Sequence, residues 1–259
     1  MTRVTVATYL IISWVATVGQ LSISYLDDVL AIVEKPAGML VHRSPIDAHE
    51  RIFLMQSLRN QLNQHVYPVH RLDKPTSGLV MFALDAVTAR EMSQQFERGA
   101  VEKIYHAFVR GHVTTNMLID HPLRDEVTRN GSSIKNGTVR EARTQLRALQ
   151  TWTIPEAVDR YPEARYSRVE LKPVTGRYRQ LRRHMKHVSH PSLGDVRYGK
   201  GTHNRFIEQH TTIKRLWLHA TELRFRHPVT DDVTAVIAAP PDDYRVLATW
   251  LDSYTNTTQ

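Results

Sequence analysis

Along this chain of 259 residues the apolar positions change period many times, and short runs of strand character outnumber helical ones. Residues 30–34 are an apolar run closed by Lys35-Pro36-Ala37-Gly38, a strand entering a turn. Residues 49–63 carry Phe53 or Leu54, Leu58 and Leu62 at helical spacing. Residues 79–84 are unbroken apolar, as in a buried strand, and residues 86–98 place Ala89, Met92 and Phe96 on one helical face with Gly99 as the stop. Residues 103–110 alternate with period two, which sends Tyr105 and His106 to opposite faces. Residues 125–137 are polar and Gly-containing and predict a mobile hairpin tip. Two further strands are expected at 140–149 and 168–173, joined through the irregular stretch 155–162. Residues 179–189 set Leu181, Met185 and Val188 on one helical face and Arg179, Arg182, Arg183 and Lys186 on the rest. Strands at 216–225 and 233–237 close around Thr230-Asp231-Asp232, and 242–254 reads as a terminal helix. Strands in adjacent pairs with scattered helices argue for an α+β fold with a largely antiparallel mixed central sheet and flanking helices.

The N-terminus departs from this pattern. Residues 4–26 carry no charge and include Tyr9-Leu10-Ile11-Ile12-Ser13-Trp14-Val15, a length that suits a membrane span or a signal peptide. Threonines and serines interrupt it and only Arg3 precedes it, so residues 1–21 are expected to be an extension, an extra strand or a translated upstream stretch, and not a membrane anchor.

Charge and cysteine content narrow the function classes. Lys and Arg outnumber Asp and Glu by 34 to 26, a net charge of +8, which points to a polyanionic partner. The absence of cysteine excludes a disulfide framework and thiolate metal sites and fits a reducing, cytoplasmic setting.

One turn carries candidate chemistry. In His70-Arg71-Leu72-Asp73-Lys74-Pro75-Thr76-Ser77-Gly78 a carboxylate stands between two cations that favour its ionised form, on a backbone restrained by Pro75 and Gly78, just outside the 79–84 strand. An Asp in such a turn is ordinarily a turn former, so the stretch alone decides little. Three later blocks change that: Glu102-Lys103-Ile104-Tyr105-His106-Ala107-Phe108-Val109-Arg110-Gly111, Thr175-Gly176-Arg177-Tyr178-Arg179-Gln180-Leu181-Arg182-Arg183-His184, and His190-Pro191-Ser192-Leu193-Gly194-Asp195-Val196-Arg197-Tyr198-Gly199. In this order the four blocks resemble the RluA family of pseudouridine synthases, over residues 22–259. Glu34-Lys35-Pro36-Ala37-Gly38, Val41-His42-Arg43-Ser44 and Leu218-His219-Ala220 extend the resemblance toward members that act on tRNA uridine-65.

The resemblance implies the pseudouridine synthase fold, a central sheet split by an RNA-binding cleft, and an isomerase that needs no cofactor and no metal. It implies Asp73 as the nucleophile, acting at C1′, at C6 or as a base at C2′; Arg182 as its basic partner; and Tyr105 as a stacking wall for uracil and a candidate proton acceptor from C5. Leu181 would pack beneath Tyr105. Arg71 would enter the space left by the flipped base, against a structural salt bridge as the plainer alternative, and Arg177, Arg179 and Arg183 would contact the substrate. Asp195 would be a turn former or a supporting carboxylate. The expected partner is RNA, most of all tRNA, bound by a monomer without a separate RNA-binding module. The same chemistry on ribosomal RNA, or a non-catalytic RNA-binding factor on the same scaffold, are the alternatives. No Gly-rich phosphate loop is present, and His184, His187 and His190 read as packing or RNA-facing residues, since cations surround them and no carboxylate joins them. Asp231 stands where relatives usually carry glycine, which leaves its turn type open.

Overall fold

The computed structural model describes residues 20–43, 49–129, 132–134 and 137–255. The first half holds β1 (Ile23–Leu26), β2 (Leu30–Lys35), α1 (Leu54–Leu62), β3 (Tyr67–Pro68), β4 (Ser77–Ala83), α2 (Ala86–Glu97) and β5 (Glu102–Arg110). Short strands follow: β6 (Met117–Asp120), β7 (Leu123–Arg124), β8 (Val127–Arg129), β9 (Ser132–Ile134) and β10 (Val139–Arg140). The second half adds β11 (Arg143–Ile154), β12 (Ala164–Pro173), α3 (Gln180–His187), α4 (Gly201–Thr211), β13 (Leu218–Arg226), β14 (Val233–Ile237) and α5 (Asp242–Asp252).

The main sheet runs β1-β2-β4-β13-β5-β12-β11-β6, with β3 beside β4 and β14 beside β13. Its alternation sorts side chains by parity: Ala31, Val33, Val80 and Phe82 face one core with α1 and α3, while Leu30, Ile32, Leu79 and Met81 face another with Met92 of α2. A third core gathers Phe108, Trp152, Tyr166 and Trp217 under α4 and α5. All pairings in this sheet are antiparallel except β13 with β4, which run parallel over His219↔Ser77 and Ala220↔Gly78 alone. Two residue pairs therefore join the halves of the sheet, immediately after the turn that carries Asp73. Gly78 is required there: it sits at φ +112, and a Cβ would lie 2.2 Å from the Ala220 carbonyl oxygen.

Buried polar groups hold this junction. Ser77 Oγ lies 2.8 Å from His219 Nδ1, and Arg215 bridges Ser77 to Asp243 of α5. Burial, with repulsion from Arg215, pushes the His219 ring down to about 3, and burial with Lys103 does the same to His70. Both rings are neutral in the folded chain. Once unfolded they protonate around 6.5, so between pH 6.5 and 3 the unfolded chain binds more protons and stability falls as pH drops. Differential scanning fluorimetry should show a midpoint that declines from pH 6.5 to 5, above the range where most carboxylates titrate. A flat midpoint over that interval would contradict neutral buried histidines.

Several boundaries differ from those expected. The 49–63 helix begins only at Leu54, because residues up to Phe53 are extended and bridge Leu40. The first helical N–H groups, of Leu54 and Met55, donate to the carbonyls of Leu40 and Val41. The 140–149 strand is two elements: β10 pairs with β7, and β11 starts afresh at Arg143. β1, β3, β6, β7 and α4 have no counterpart among the expected elements. In the 125–137 segment β8 and β9 pair as a hairpin, while residues 130 and 131 at its tip lie outside the described residues. Asp231 adopts the left-handed conformation at φ +59, one that Asp tolerates better than most residues other than glycine and asparagine. Residues 1–19, and Ser44 of the quoted blocks, lie outside the described residues. No helix among the described residues is long and apolar enough to cross a membrane.

Candidate active site

The turn before β4 is anchored from below. Leu72 is buried, and the Thr76 N–H donates to the Asp73 carbonyl at 3.0 Å. Lys35, at the end of β2 and only 1% exposed, donates its three ammonium hydrogens to the carbonyls of Pro36, Met39 and Lys74, at 2.8, 2.8 and 3.0 Å. It ties the 36–39 loop to the residue after Asp73. Burial, reinforced by Arg215 and opposed by the attraction of Asp73, lowers the Lys35 pKa to about 7. Lys35→Met should leave these carbonyls unsatisfied and cost about 1–3 kcal/mol. A denaturant midpoint equal to that of the native chain would show that the tie is dispensable.

Asp73 lies on the wall of a cavity of about 690 Å³. Arg71, Tyr105, Arg177, Arg179, Leu181 and Arg182 line the same cavity, so seven of the eight residues singled out from sequence converge on it. Arg183 does not line it. Its guanidinium donates to the backbone carbonyls of Arg124, at 2.9 Å, and Tyr178, at 3.4 Å. Arg71 is exposed on the cavity wall and forms no ion pair among the described residues. Lys74 reaches Glu50 at 2.9 Å.

The centre of the site is a guanidinium held between two carboxylates. Arg182 donates from Nε and Nη2 to both oxygens of Asp195, at 2.7 and 2.8 Å, and from Nη1 to Asp73 Oδ2 at 3.0 Å. The Asp195 fork is closed and fully buried, whereas Asp73 keeps 18% of its side chain open to the cavity. Burial works against the Arg182 charge, but the two carboxylates outweigh it and raise its pKa above the usual arginine range. Burial raises the Asp195 carboxyl, and Arg182 with the N–H groups of Tyr198 and Arg197 more than reverses this. Asp195 is thus both turn former and ionic partner, at 2.9 Å from each of those N–H groups.

Tyr105 sits on β5 facing the same core as Leu181. Burial first, and then the Asp73 charge, push its phenol well above the ordinary range. It is a neutral ring at physiological pH, suited to walling the cavity; accepting a proton from C5 would require the phenolate that this setting disfavours. The start of α3 is fixed by Gln180, whose side-chain oxygen accepts from Thr175 Oγ1 and the Arg177 N–H while its amide donates to the Arg143 carbonyl and Thr144 Oγ1. Arg179, just before the helix, takes φ +53 and pairs with Glu126 at 3.6 Å. Glu126 also accepts from Tyr198 Oη at 2.7 Å and from Arg197 at 3.1 Å, which docks the base of the hairpin onto this block.

The histidines of this region pack. His184 has Nδ1 at 2.9 Å from Thr144 Oγ1 and Nε2 at 3.0 Å from the His121 carbonyl. His187 stacks on His121, and His190 contacts the Arg110 carbonyl. Lys35 and Gln180 were missed from sequence as structural supports. For Lys35 a signal existed: it shares the parity of buried Ala31 and Val33, so the strand turns it inward.

The sequence profile of the RNA pseudouridylate synthase family matches residues 29–187. The tRNA pseudouridine synthase C of Vibrio cholerae is 44% identical over 220 residues, 84% of this chain and 90% of that one. Its counterpart in Pasteurella multocida is 46% identical over 234 residues, 90% of this chain and 94% of that one. The one in Pectobacterium carotovorum is 48% identical over 212 residues, and this chain spans only 56% of its length. Among solved structures, human RNA pseudouridylate synthase domain containing 1 is similar at a TM-score of 0.68 and 27% identity, covering 87% of this chain and 86% of that one. Fold and site together define an isomerase of the pseudouridine synthase class. The chain belongs to the RNA pseudouridylate synthase family, in its RluA branch.

Proposed function

We propose that this chain isomerises a uridine of tRNA, at position 65, to pseudouridine. The observation that carries the reading is the Asp73–Arg182–Asp195 line of contacts opening on a cavity walled by Tyr105 and Leu181. The reaction breaks the N1–C1′ bond, turns the uracil and joins C5 to C1′. The C5 hydrogen leaves as a proton, N1 gains one, and nothing is oxidised or transferred. Such a reaction needs a carboxylate beside the sugar, an enclosure in which the base can turn, and a means of holding the nucleotide out of its stack.

Asp73 is that carboxylate; attack at C1′, addition at C6 and proton removal at C2′ all use the same ionised oxygen. Arg182 offers one N–H to Asp73 and a fork to Asp195, so the nucleophile is oriented by a cation whose charge is already balanced behind it. Tyr105 and Leu181 enclose the ring. Arg71, exposed at the rim, stacks into the gap left by the extruded base, and Arg177 and Arg179 meet phosphates. Arg183, occupied by backbone carbonyls, supports the helix and the hairpin rather than the RNA. The choice of tRNA follows the relatives in Vibrio cholerae and Pasteurella multocida, whose names specify it.

The test uses tRNA transcripts carrying tritium at C5 of uridine, since each turnover releases that label to water. Release of one equivalent per tRNA, abolished when position 65 is changed to cytidine, is the expected result. Undiminished release from the cytidine transcript would move the target elsewhere, and release confined to ribosomal RNA would replace tRNA as substrate.

A further inference from the structure

Beside Tyr105 the cavity wall also includes His70, Phe96 and Lys103, which the isomerisation does not use. Lys103 lies on the same face of β5 as Tyr105, two residues or roughly 7 Å along the strand, and lines the same cavity. Its ammonium stands 5.7 Å from the centroid of the Phe96 ring. Phe96 stacks on His70 with centroids 4.4 Å apart at 21°, and His70 is fixed by the Met81 N–H, which donates to its Nε2 at 3.0 Å. The lysine thus rests on an ordered stack. Burial lowers its pKa with no neighbouring charge offsetting that effect, although the exposed Glu97 also lines the cavity. Among the described residues Lys103 Nζ makes neither a hydrogen bond nor an ion pair. A cation drawn largely out of water and left without a counter-charge is costly unless a ligand supplies one.

We infer that Lys103 anchors a backbone phosphate of the RNA next to the extruded uridine, at the part of the cavity wall that Phe96 and His70 also line. The position suits this: a nucleotide whose base meets Tyr105 carries its flanking phosphates within one nucleotide's reach along the same strand. The inference rests on the tRNA reading above and adds to it the site that registers the target nucleotide.

Three measurements test it on the full chain. Lys103→Met should raise KM for tRNA about tenfold with kcat little changed, the size expected of one charged contact. The slope of log affinity against log salt should fall by about 1, and Lys103→Arg should restore both. The decisive probe is a set of tRNAs with a neutral methylphosphonate at one phosphate flanking the target at a time. At one position the native chain should drop to the level of Lys103→Met, and the variant should be indifferent to the change. A native chain that releases tritium normally while Lys103→Met keeps the native salt slope, or while no flanking methylphosphonate equalises the two, overturns the inference alone. A native chain that modifies no tRNA removes the functional reading, and this inference with it.

Discussion

Replacing Asp73 by asparagine should abolish pseudouridine formation, lowering the rate by at least about a thousandfold, while tRNA affinity stays within a few fold. The contrast follows from how little else Asp73 holds. Its carboxylate contributes one of three hydrogen bonds to Arg182, and the amide oxygen of asparagine can accept that bond in the same place. Arg182 keeps both bonds to Asp195, so no buried charge is stranded. What disappears is the ionised oxygen facing the cavity. Single-turnover tritium release, paired with filter binding of the same tRNA, separates the two effects. Residual release near the native rate would remove Asp73 from the chemistry, and loss of binding in parallel with rate would make it a structural residue.

Arg182→Met should act on stability and on activity at once, and the two losses can be pulled apart. Asp195 is fully buried, and without its guanidinium it becomes an unpaired charge in the interior, at a cost of about 3–5 kcal/mol. For a chain of this size that corresponds to a fall in Tm of roughly 10 °C. Adding Asp195→Asn removes the stranded charge while leaving an oxygen to accept the N–H groups of Arg197 and Tyr198. The double variant should therefore regain most of the lost Tm and none of the lost turnover. If turnover returns with the Tm, Arg182 serves the fold alone. If neither returns, the Asp195 carboxylate has a role that its pairing with Arg182 does not explain.

Periodicity made most of the sheet legible. β4 is apolar and buried at nearly every position, β5 alternates cleanly enough to separate Tyr105 from His106, and α2 begins after Asp85, whose side chain caps the Thr88 N–H, and stops at Gly99 with φ +73. α4 was not legible, because Gly201, Thr202 and Thr211 are weak helix formers and its helicity depends on burying Phe206 and Ile207 in the core shared with α5 and His203 against Tyr166 of β12. The site was legible as motifs, not as architecture. Asp73, Tyr105 and Arg182 stood out by their place in ordered blocks, and the structure brings them to one cavity. Strand parity turns Lys35 inward, but that Lys35 and Gln180 also hold partners 39 and 37 residues away is a relation that no local pattern encodes. Arg183 could not be told from Arg182 by charge; only the direction of the helix face separates a residue that meets Asp73 from one that meets carbonyls.

The seam between β4 and β13 bears on how the molecule is made. Ser77 and His219 meet across 142 positions of chain, so the strand that braces the Asp73 turn is synthesised long after the turn itself. Contacts of such separation close slowly. A nascent chain halted before residue 218 would carry the nucleophile but lack the neighbour that seats it, so competence should be acquired late on the ribosome and abruptly, when β13 arrives.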